Sequence, residues 1–301
     1  MRRMTGRSGE PGVHPLLVLT LLFPLILLSG FFSSRMFAER SRSPQPGIAA
    51  IGKGGALQEM SRRPLFFFGF RNVLADAFWL EAVQVVGNKD LSPGDYDQLY
   101  ELLNVVANFD PKFEIPYFLG GLVLGQSPDH ARKALLVLER GSRQYPAEWR
   151  FPFYIGFTHY FSLGDAAAGG VAMAEAARLP GSPAYLPGLA SRMLSEAREP
   201  EAALQLLEPI VRQESDPARR AVLERRIREV TVERDLQALE RAVEGYREKT
   251  GAVPADLSAL VREGILTAIP PEPNGGSYVM ERGGKVRSDR VPQRLRVFQK
   301  I

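Results

Sequence analysis

Histidine is the side chain that most often carries acid–base or metal chemistry at neutral pH, and the chain has three: His14, His130 and His159. No two of them have the His-x-x-x-His spacing of a metal site, and Glu-x-x-His, Gly-x-Ser-x-Gly, Walker and dinucleotide-binding glycine patterns are absent. The sequence has no cysteine, which excludes disulfides, thiolate nucleophiles and cysteine-ligated zinc. We therefore expect no catalytic residue, no metal and no cofactor, and a protein that is not an enzyme.

A second set of residues suits binding rather than catalysis. Between positions 117 and 192, the aromatic and arginine side chains of the predicted first helices provide six aromatic candidates and two arginine candidates, residue types typical of anchors in protein interfaces. Aromatic side chains are also common in cores, so burial is the alternative for each of them. The candidate partner-binding residues are Tyr117, Arg150, Phe153, Phe157, Tyr160, Phe161, Tyr185 and Arg192.

The elements that must position these residues form an internal repeat. Three apolar segments begin near Pro116, Pro152 and Pro187, which are 36 and 35 residues apart. A second helix follows each one, over 131–144, 166–178 and 201–213. Ala134, Ala168 and Ala203 recur in these second helices, where small residues allow close helix crossing. Prolines close the units at Pro111, Pro146, Pro180 and Pro217.

A helix–turn–helix unit of this length, with a small residue in the first helix, an early alanine in the second and a closing proline, resembles the tetratricopeptide repeat. The resemblance covers Asn72 to Pro217, as three copies and an opening unit over 72–109. It implies an all-α helical repeat array, or α-solenoid, in which stacked hairpins share one core. It also implies that the first helices line a concave groove, where the eight candidate residues bind a peptide or helix of a protein partner. Gly169-Gly170 is expected to weaken one second helix.

A long helix is predicted after the array. Asp216 is an N-cap residue, Pro217 suits the first helical position, and Gly251 suits a helix end. The helix, over 218–250, is expected to cap the array; a coiled-coil seam for a partner helix is the alternative.

The last segment, 251–301, carries a short helical pattern around Leu257 and Leu260 and a hairpin pattern around Gly283-Gly284. Its order of helix, Tyr-x-x-x-x-Gly, Pro, Leu-x-x-Leu, Gly-x-Leu, Pro and Gly-Gly-x-Tyr resembles the end of pilin and type II secretion pseudopilin domains. The resemblance implies contact with a pilus or secretion apparatus. The alternative is a small module that only packs on the long helix.

An uncharged apolar stretch lies near the start of the chain. Residues 15–33 predict a transmembrane anchor after a short cytoplasmic tail, 1–14, and before a Pro/Gly/Ser-rich linker, 34–62. A cleaved signal peptide is the rival interpretation, but the cleavage site is poor. With the array over 63–217 beyond it, we expect a single-pass protein of the inner (cytoplasmic) membrane whose body is periplasmic.

The charge balance gives little sign of nucleic acid as a partner. The net charge of +4 comes from 38 Lys and Arg against 34 Asp and Glu, which are interspersed along the helices. The sequence thus favours a membrane-anchored scaffold that binds proteins, recruiting components of an envelope machine. The alternative is a structural subunit of a type IV pilus or type II secretion assembly.

Overall fold

Helices account for most of the residues that the computed structural model describes, 70–297. The predicted tail, anchor and linker, over 1–62, lie outside the described residues. Within 70–297, no helix combines the length and the apolar composition needed to cross a bilayer. The elements in chain order are α1 (Arg71–Val86), α2 (Pro93–Phe109), α3 (Ile115–Leu124), α4 (Ala131–Gln144), α5 (Arg150–Phe157), α6 (Ala166–Arg178), α7 (Leu186–Glu196), α8 (Pro200–Gln213), α9 (Pro217–Thr250), α10 (Ser258–Arg262), β1 (Tyr278–Met280) and β2 (Val286–Ser288).

The first eight helices form four hairpins, α1–α2, α3–α4, α5–α6 and α7–α8, and each hairpin packs on the next. Hydrogen bonds between neighbouring hairpins join residues about one repeat apart in the sequence. Arg140 Nη2 donates to Ala107 O at 2.7 Å across 33 positions, and Ser162 Oγ donates to Gly125 O at 2.6 Å across 37 positions. The repeat period predicted from the prolines is therefore also the period of the tertiary contacts. The structure is a mostly helical, repeat-like array, as the sequence predicts.

Small residues allow these helices to approach closely. A Cβ on Gly170 would lie 2.8 Å from the Leu194 side chain and 3.0 Å from its backbone nitrogen, which no packed methyl group tolerates. Ala134 and Ala203 are fully buried, whereas Ala168 is half-buried. The glycines expected to weaken this helix do not break it, because α6 runs through Gly169 and Gly170 without interruption. The pair provides the surface on which α5 and α7 pack.

Helix α9 is the longest of the described helices and begins and ends where the sequence predicts. The Asp216 carboxylate accepts hydrogen bonds from the amides of Ala218 and Arg219, at 2.8 and 3.4 Å. At the other end, Gly251 has a φ of 77°, the left-handed conformation that glycine adopts most easily.

The middle of α9 is buried on several sides. The Gln237 side chain donates to Ser195 O of the array at 2.9 Å, and the Asp235 carboxylate accepts from the Tyr278 hydroxyl at 2.9 Å. The second half of α9, with α10 and the β1–β2 hairpin, forms a separate apolar core. The apolar residues of α9 pack into cores formed by the chain itself. They therefore leave no continuous seam for the coiled-coil partner considered above.

The C-terminal module contains the predicted hairpin. Strands β1 and β2 pair antiparallel, with Tyr278 opposite Ser288 and Met280 opposite Val286. Gly283 and Gly284, with φ of 89° and 88°, form the turn. Tyr278 and Val286 point into the core that α9 shares with α10. The module therefore packs on the long helix.

Candidate protein-binding groove

Two of the predicted aromatic residues form an exposed pair on the fifth helix. After Phe157, the last residue of α5, the chain makes one π-helical turn, Thr158–Ser162, which the sequence pattern did not reveal. The rings of Phe157 and Phe161 are 4.3 Å apart and are 43% and 44% exposed. Single π-helical turns are frequent at functional sites. An exposed aromatic pair of this size is suited to anchoring an apolar partner side chain.

Tyr160 lies on the same π turn but faces the next hairpin. Its hydroxyl donates to the Glu196 carboxylate, 3.0 Å away at the end of α7. Burial, followed by the hydrogen bond to Glu196, raises the pKa of Tyr160 to about 12. The hydroxyl therefore stays protonated at physiological pH and links two first helices.

Arg150 is an inter-repeat link as well as a surface cation. Its guanidinium pairs with Glu148 at 2.7 Å and with Glu114 of the preceding unit at 3.1 Å. It also lies over the Phe118 ring, 4.6 Å from the centroid. The hydrogen bond from Arg150 lowers the pKa of Glu148. Arg150 thus already forms ion pairs with two carboxylates of its own chain.

Two of the predicted contact residues, Tyr117 and Phe153, face the interior of the array. Tyr117 is 1% exposed, and its hydroxyl donates to Pro111 O at 3.0 Å, so its side chain belongs to the array core and cannot touch a partner. Phe153 is half-buried and packs against the core formed by α6, α7, α8 and the start of α9. Both positions face inward because each first helix must bury one side against its second helix.

Tyr185 and Arg192 lie together at another part of the array. Tyr185 is 58% exposed and, with Leu189, Arg192 and the α9 residues Val222 and Arg226, lines a cavity of about 320 Å³. Of the eight predicted residues, Phe157 and Phe161 form the exposed pair, and Tyr185 and Arg192 line the cavity between α7 and α9. Arg150 and Tyr160 link neighbouring repeats, whereas Tyr117 and Phe153 pack in or against the core. The structure does not bring them all to one contact surface.

An extended segment near the end of the described chain lies against α7 and α9, and no sequence pattern predicted it. We call residues 290–297 the C-terminal strap. Its Arg294 guanidinium contacts Glu233 at 2.6 Å and Glu240 at 2.8 Å, both on α9. Its Leu295 and Val297 side chains pack against the core to which Phe153 and Tyr160 belong. The Val297 amide donates to Glu196 at 3.1 Å, and Glu196 is the carboxylate that accepts from Tyr160.

In the charge pair that holds the strap, the Glu233 carboxylate on α9 is the buried partner. Glu233 is 5% exposed and accepts hydrogen bonds from Arg294, from Gln237 and from the Leu295 amide. Burial alone would raise the pKa of Glu233, but these donors outweigh it and hold the pKa below its ordinary value. The Arg294 pKa is raised, first by its hydrogen bond to Glu233. Both groups are therefore ionised at neutral pH, and the strap is fixed by charge as well as by apolar contact.

Both described histidines have polar neighbours, and His159 lies on the π turn. His130 is bonded to Ser127 at 2.9 Å and to Asp97 at 3.1 Å, and His159 lies 3.8 Å from Asp165. Over residues 70–297, no three His, Asp or Glu side chains are grouped to hold a metal ion. The arrangement offers aromatic, apolar and charged contacts for binding.

Comparisons with protein-family models, with curated proteins and with solved structures found no match. The class that the fold defines is a helical-hairpin repeat protein with a long helix, and a small α/β module packed on that helix.

Proposed function

We propose that this chain is a membrane-anchored scaffold of the tetratricopeptide kind, which binds partner proteins on the face formed by its first helices. In this proposal, residues 15–33 hold it in the inner membrane, the body is periplasmic, and the partners are components of an envelope machine. Support comes from the repeat period shared by sequence and contacts, and from the exposed Phe157–Phe161 pair.

The observation that carries the proposal is the C-terminal strap. An extended segment already lies on the array, held by a backbone amide at Glu196, by an arginine at Glu233 and by two apolar side chains. Main-chain hydrogen bonds, charge pairs and apolar anchors are contact types by which proteins recognise peptides. The strap supports the proposal that this face binds polypeptide, and in this proposal the exposed aromatic pair on the π turn extends the binding face.

The test is affinity capture of cross-linked partners with the full chain in detergent. The Phe157→Ala/Phe161→Ala double variant should lose partners that the wild type retains, because truncating anchor side chains typically costs 2 kcal/mol or more, roughly a 30-fold loss of affinity. The control is Leu136→Ala/Val171→Ala, which truncates two exposed apolar residues on the second helices α4 and α6. It should retain every partner. Identical partner sets for both variants, with unchanged unfolding midpoints, would show that the π-turn aromatics bind nothing.

A further inference from the structure

One cavity has a charged lining that is mainly arginine. A cavity of about 720 Å³ lies between the C-terminal strap, α7 and α9, within the size range of ligand sites. Its charged lining consists of six arginines and two glutamates, an excess of four positive charges. The arginines are Arg192, Arg225, Arg226, Arg290, Arg294 and Arg296.

Two of these arginines already have carboxylate partners. Arg226 pairs with Glu229 at 2.5 Å and Arg294 with Glu233 at 2.6 Å, which uses both glutamates of the cavity. Among the described residues, the guanidinium groups of the other four have no hydrogen-bond or ion-pair partner. Those four come from three segments: Arg192 from α7, Arg225 from α9, and Arg290 and Arg296 from the strap.

The guanidinium groups of Arg192 and Arg226 also act on each other. Burial is the main cause that lowers the pKa of Arg226, and the like charge of Arg192 lowers it further, against the opposing effect of Glu229. A negatively charged group placed between the two arginines would relieve this repulsion. Guanidinium groups bind carboxylates and phosphates with two parallel hydrogen bonds, so the cavity is complementary to such groups.

The ligand also needs an apolar part. Arg192 and Arg226 line the neighbouring cavity as well, whose other lining residues are apolar or small, among them Tyr185, Leu189 and Val222. Tyr185 and Val222 are 58% and 60% exposed. One ligand that spans both cavities would therefore place an anionic group between arginines and an apolar side chain against Tyr185. A free phosphate ion has no such apolar part, whereas a polypeptide with adjacent acidic and apolar residues has both.

We propose that the two cavities bind an acidic segment of a partner protein, with carboxylates at the arginines of the strap cavity and an apolar side chain at Tyr185. This inference rests on the proposed function and names the chemistry of the partner. The strap then has a defined role, because it supplies one wall of the site. Arg294 holds that wall in place, while Arg290 and Arg296 face the ligand.

The experiment uses the full chain in detergent and fluorescence anisotropy of a labelled peptide that repeats Glu-Glu-Leu. Peptides that repeat Lys-Lys-Leu and Glu-Glu-Gly are the comparison probes. The Glu-Glu-Leu peptide should bind more tightly than both, and its affinity should fall as salt increases, since exposed charge pairs are screened. Equal binding of Glu-Glu-Leu and Lys-Lys-Leu would overturn the proposal.

The variants separate a built site from a general basic surface. Arg192→Gln/Arg225→Gln should weaken Glu-Glu-Leu binding about tenfold, the equivalent of roughly 1.4 kcal/mol for two charge-assisted contacts. Arg247→Gln/Arg262→Gln removes two exposed arginines elsewhere, at the same change in net charge, and should leave the affinity unchanged. Tyr185→Ala should weaken Glu-Glu-Leu but not Glu-Glu-Gly. Equal losses in the two arginine double variants would mean that only net charge matters, and would overturn the site.

Two competitors test the source of the anion. Inorganic phosphate and glycerol phosphate, the latter representing a lipid headgroup, should displace the peptide only at concentrations that match their effect as salt. Displacement by glycerol phosphate at lower concentration would identify a headgroup site and overturn the peptide assignment. Failure of the peptide to bind, while captured partners still depend on Phe157 and Phe161, would overturn this inference and leave the scaffold proposal intact.

Discussion

Replacing Arg294 with methionine tests whether the strap is held mainly by its charge pair with α9. The Arg294 guanidinium donates to both Glu233 oxygens, at 2.6 to 3.2 Å, and to Glu240 at 2.8 Å. Methionine keeps much of the side-chain volume but removes every donor. Glu233 then keeps only the Gln237 side chain and the Leu295 amide as donors, while its carboxylate stays buried.

The magnitude follows from what the carboxylate loses. Removing one partner of a buried ion pair costs about 3–5 kcal/mol, whereas exposed pairs are worth about 0–1 kcal/mol. The Glu233 side chain is 6% exposed and that of Arg294 is 34% exposed, so the pair lies between these limits but nearer to the buried one. Two donors to Glu233 also remain. We expect the free energy of strap attachment to fall by about 2–3 kcal/mol.

The assay is amide hydrogen exchange at Leu295, whose N–H is bonded to Glu233 in the attached strap. A loss of about 2–3 kcal/mol corresponds to exchange that is roughly 30 to 140 times faster. The control is Arg262→Met, which removes an exposed arginine 3.6 Å from Asp256 and should leave exchange at Leu295 unchanged.

The double variant Glu233→Leu/Arg294→Met distinguishes two effects: leaving Glu233 buried without its partner, and losing the ion pair as a whole. Replacing both partners of a buried ion pair with apolar residues is often neutral, so the double variant should recover most of the lost strap attachment. This recovery is read at the Val297 amide, which donates to Glu196, because Glu233→Leu removes the acceptor of the Leu295 amide. An Arg294→Met protein that exchanges within a factor of two of wild type would refute the reasoning. The strap would then be held by Leu295, Val297 and the Glu196 contact alone.

Two further predictions concern pH and the glycines. The pKa of Glu233 in the folded protein lies below its ordinary value of 4.5, so its contribution to stability is complete above that pH and is lost as the pH falls through the folded value. The difference in unfolding free energy between wild type and Glu233→Gln, measured with urea, should therefore be present at pH 6 and shrink at pH 3; a constant difference would contradict the assignment. Gly170→Ala should destabilise the protein by about 1–3 kcal/mol through overpacking against Leu194, whereas Gly245→Ala, whose Cβ meets nothing within 4 Å, should stabilise α9 by up to about 1 kcal/mol. A Gly170→Ala protein as stable as wild type would show that α6 and α7 can separate without cost.

The local elements could be predicted from the sequence because the signals that specify them lie within a few residues. Asp216, Pro217 and Gly251 set the ends of α9, and Gly283-Gly284 sets the hairpin turn. The second helices over 131–144 and 166–178 have the predicted bounds. Capping and turn geometry depend on near neighbours, so their sequence patterns carry over directly to structure.

The candidate site could be predicted only in part. The aromatic residues were found, but Tyr117 is buried and Phe157 is exposed, although each lies on the first helix of its repeat. The choice between core and surface depends on which side of each helix the neighbouring hairpins cover. Phe161 also lies on the π turn Thr158–Ser162, which the repeat pattern did not predict.

The sequence by itself determined the helical hairpins, their period, the long helix and the terminal hairpin, because repeated local patterns specify repeated local structure. Only the tertiary structure decided that residues 290–297 lie on α7 and α9 and complete an arginine-lined cavity. Glu233 and Arg294 are 61 positions apart, and Glu196 and Val297 are 101 apart. Neither pair belongs to a periodic pattern. Their contacts form only after the array, the long helix and the module have packed, since buried charge pairs gain their energy from the low-dielectric surroundings that packing creates.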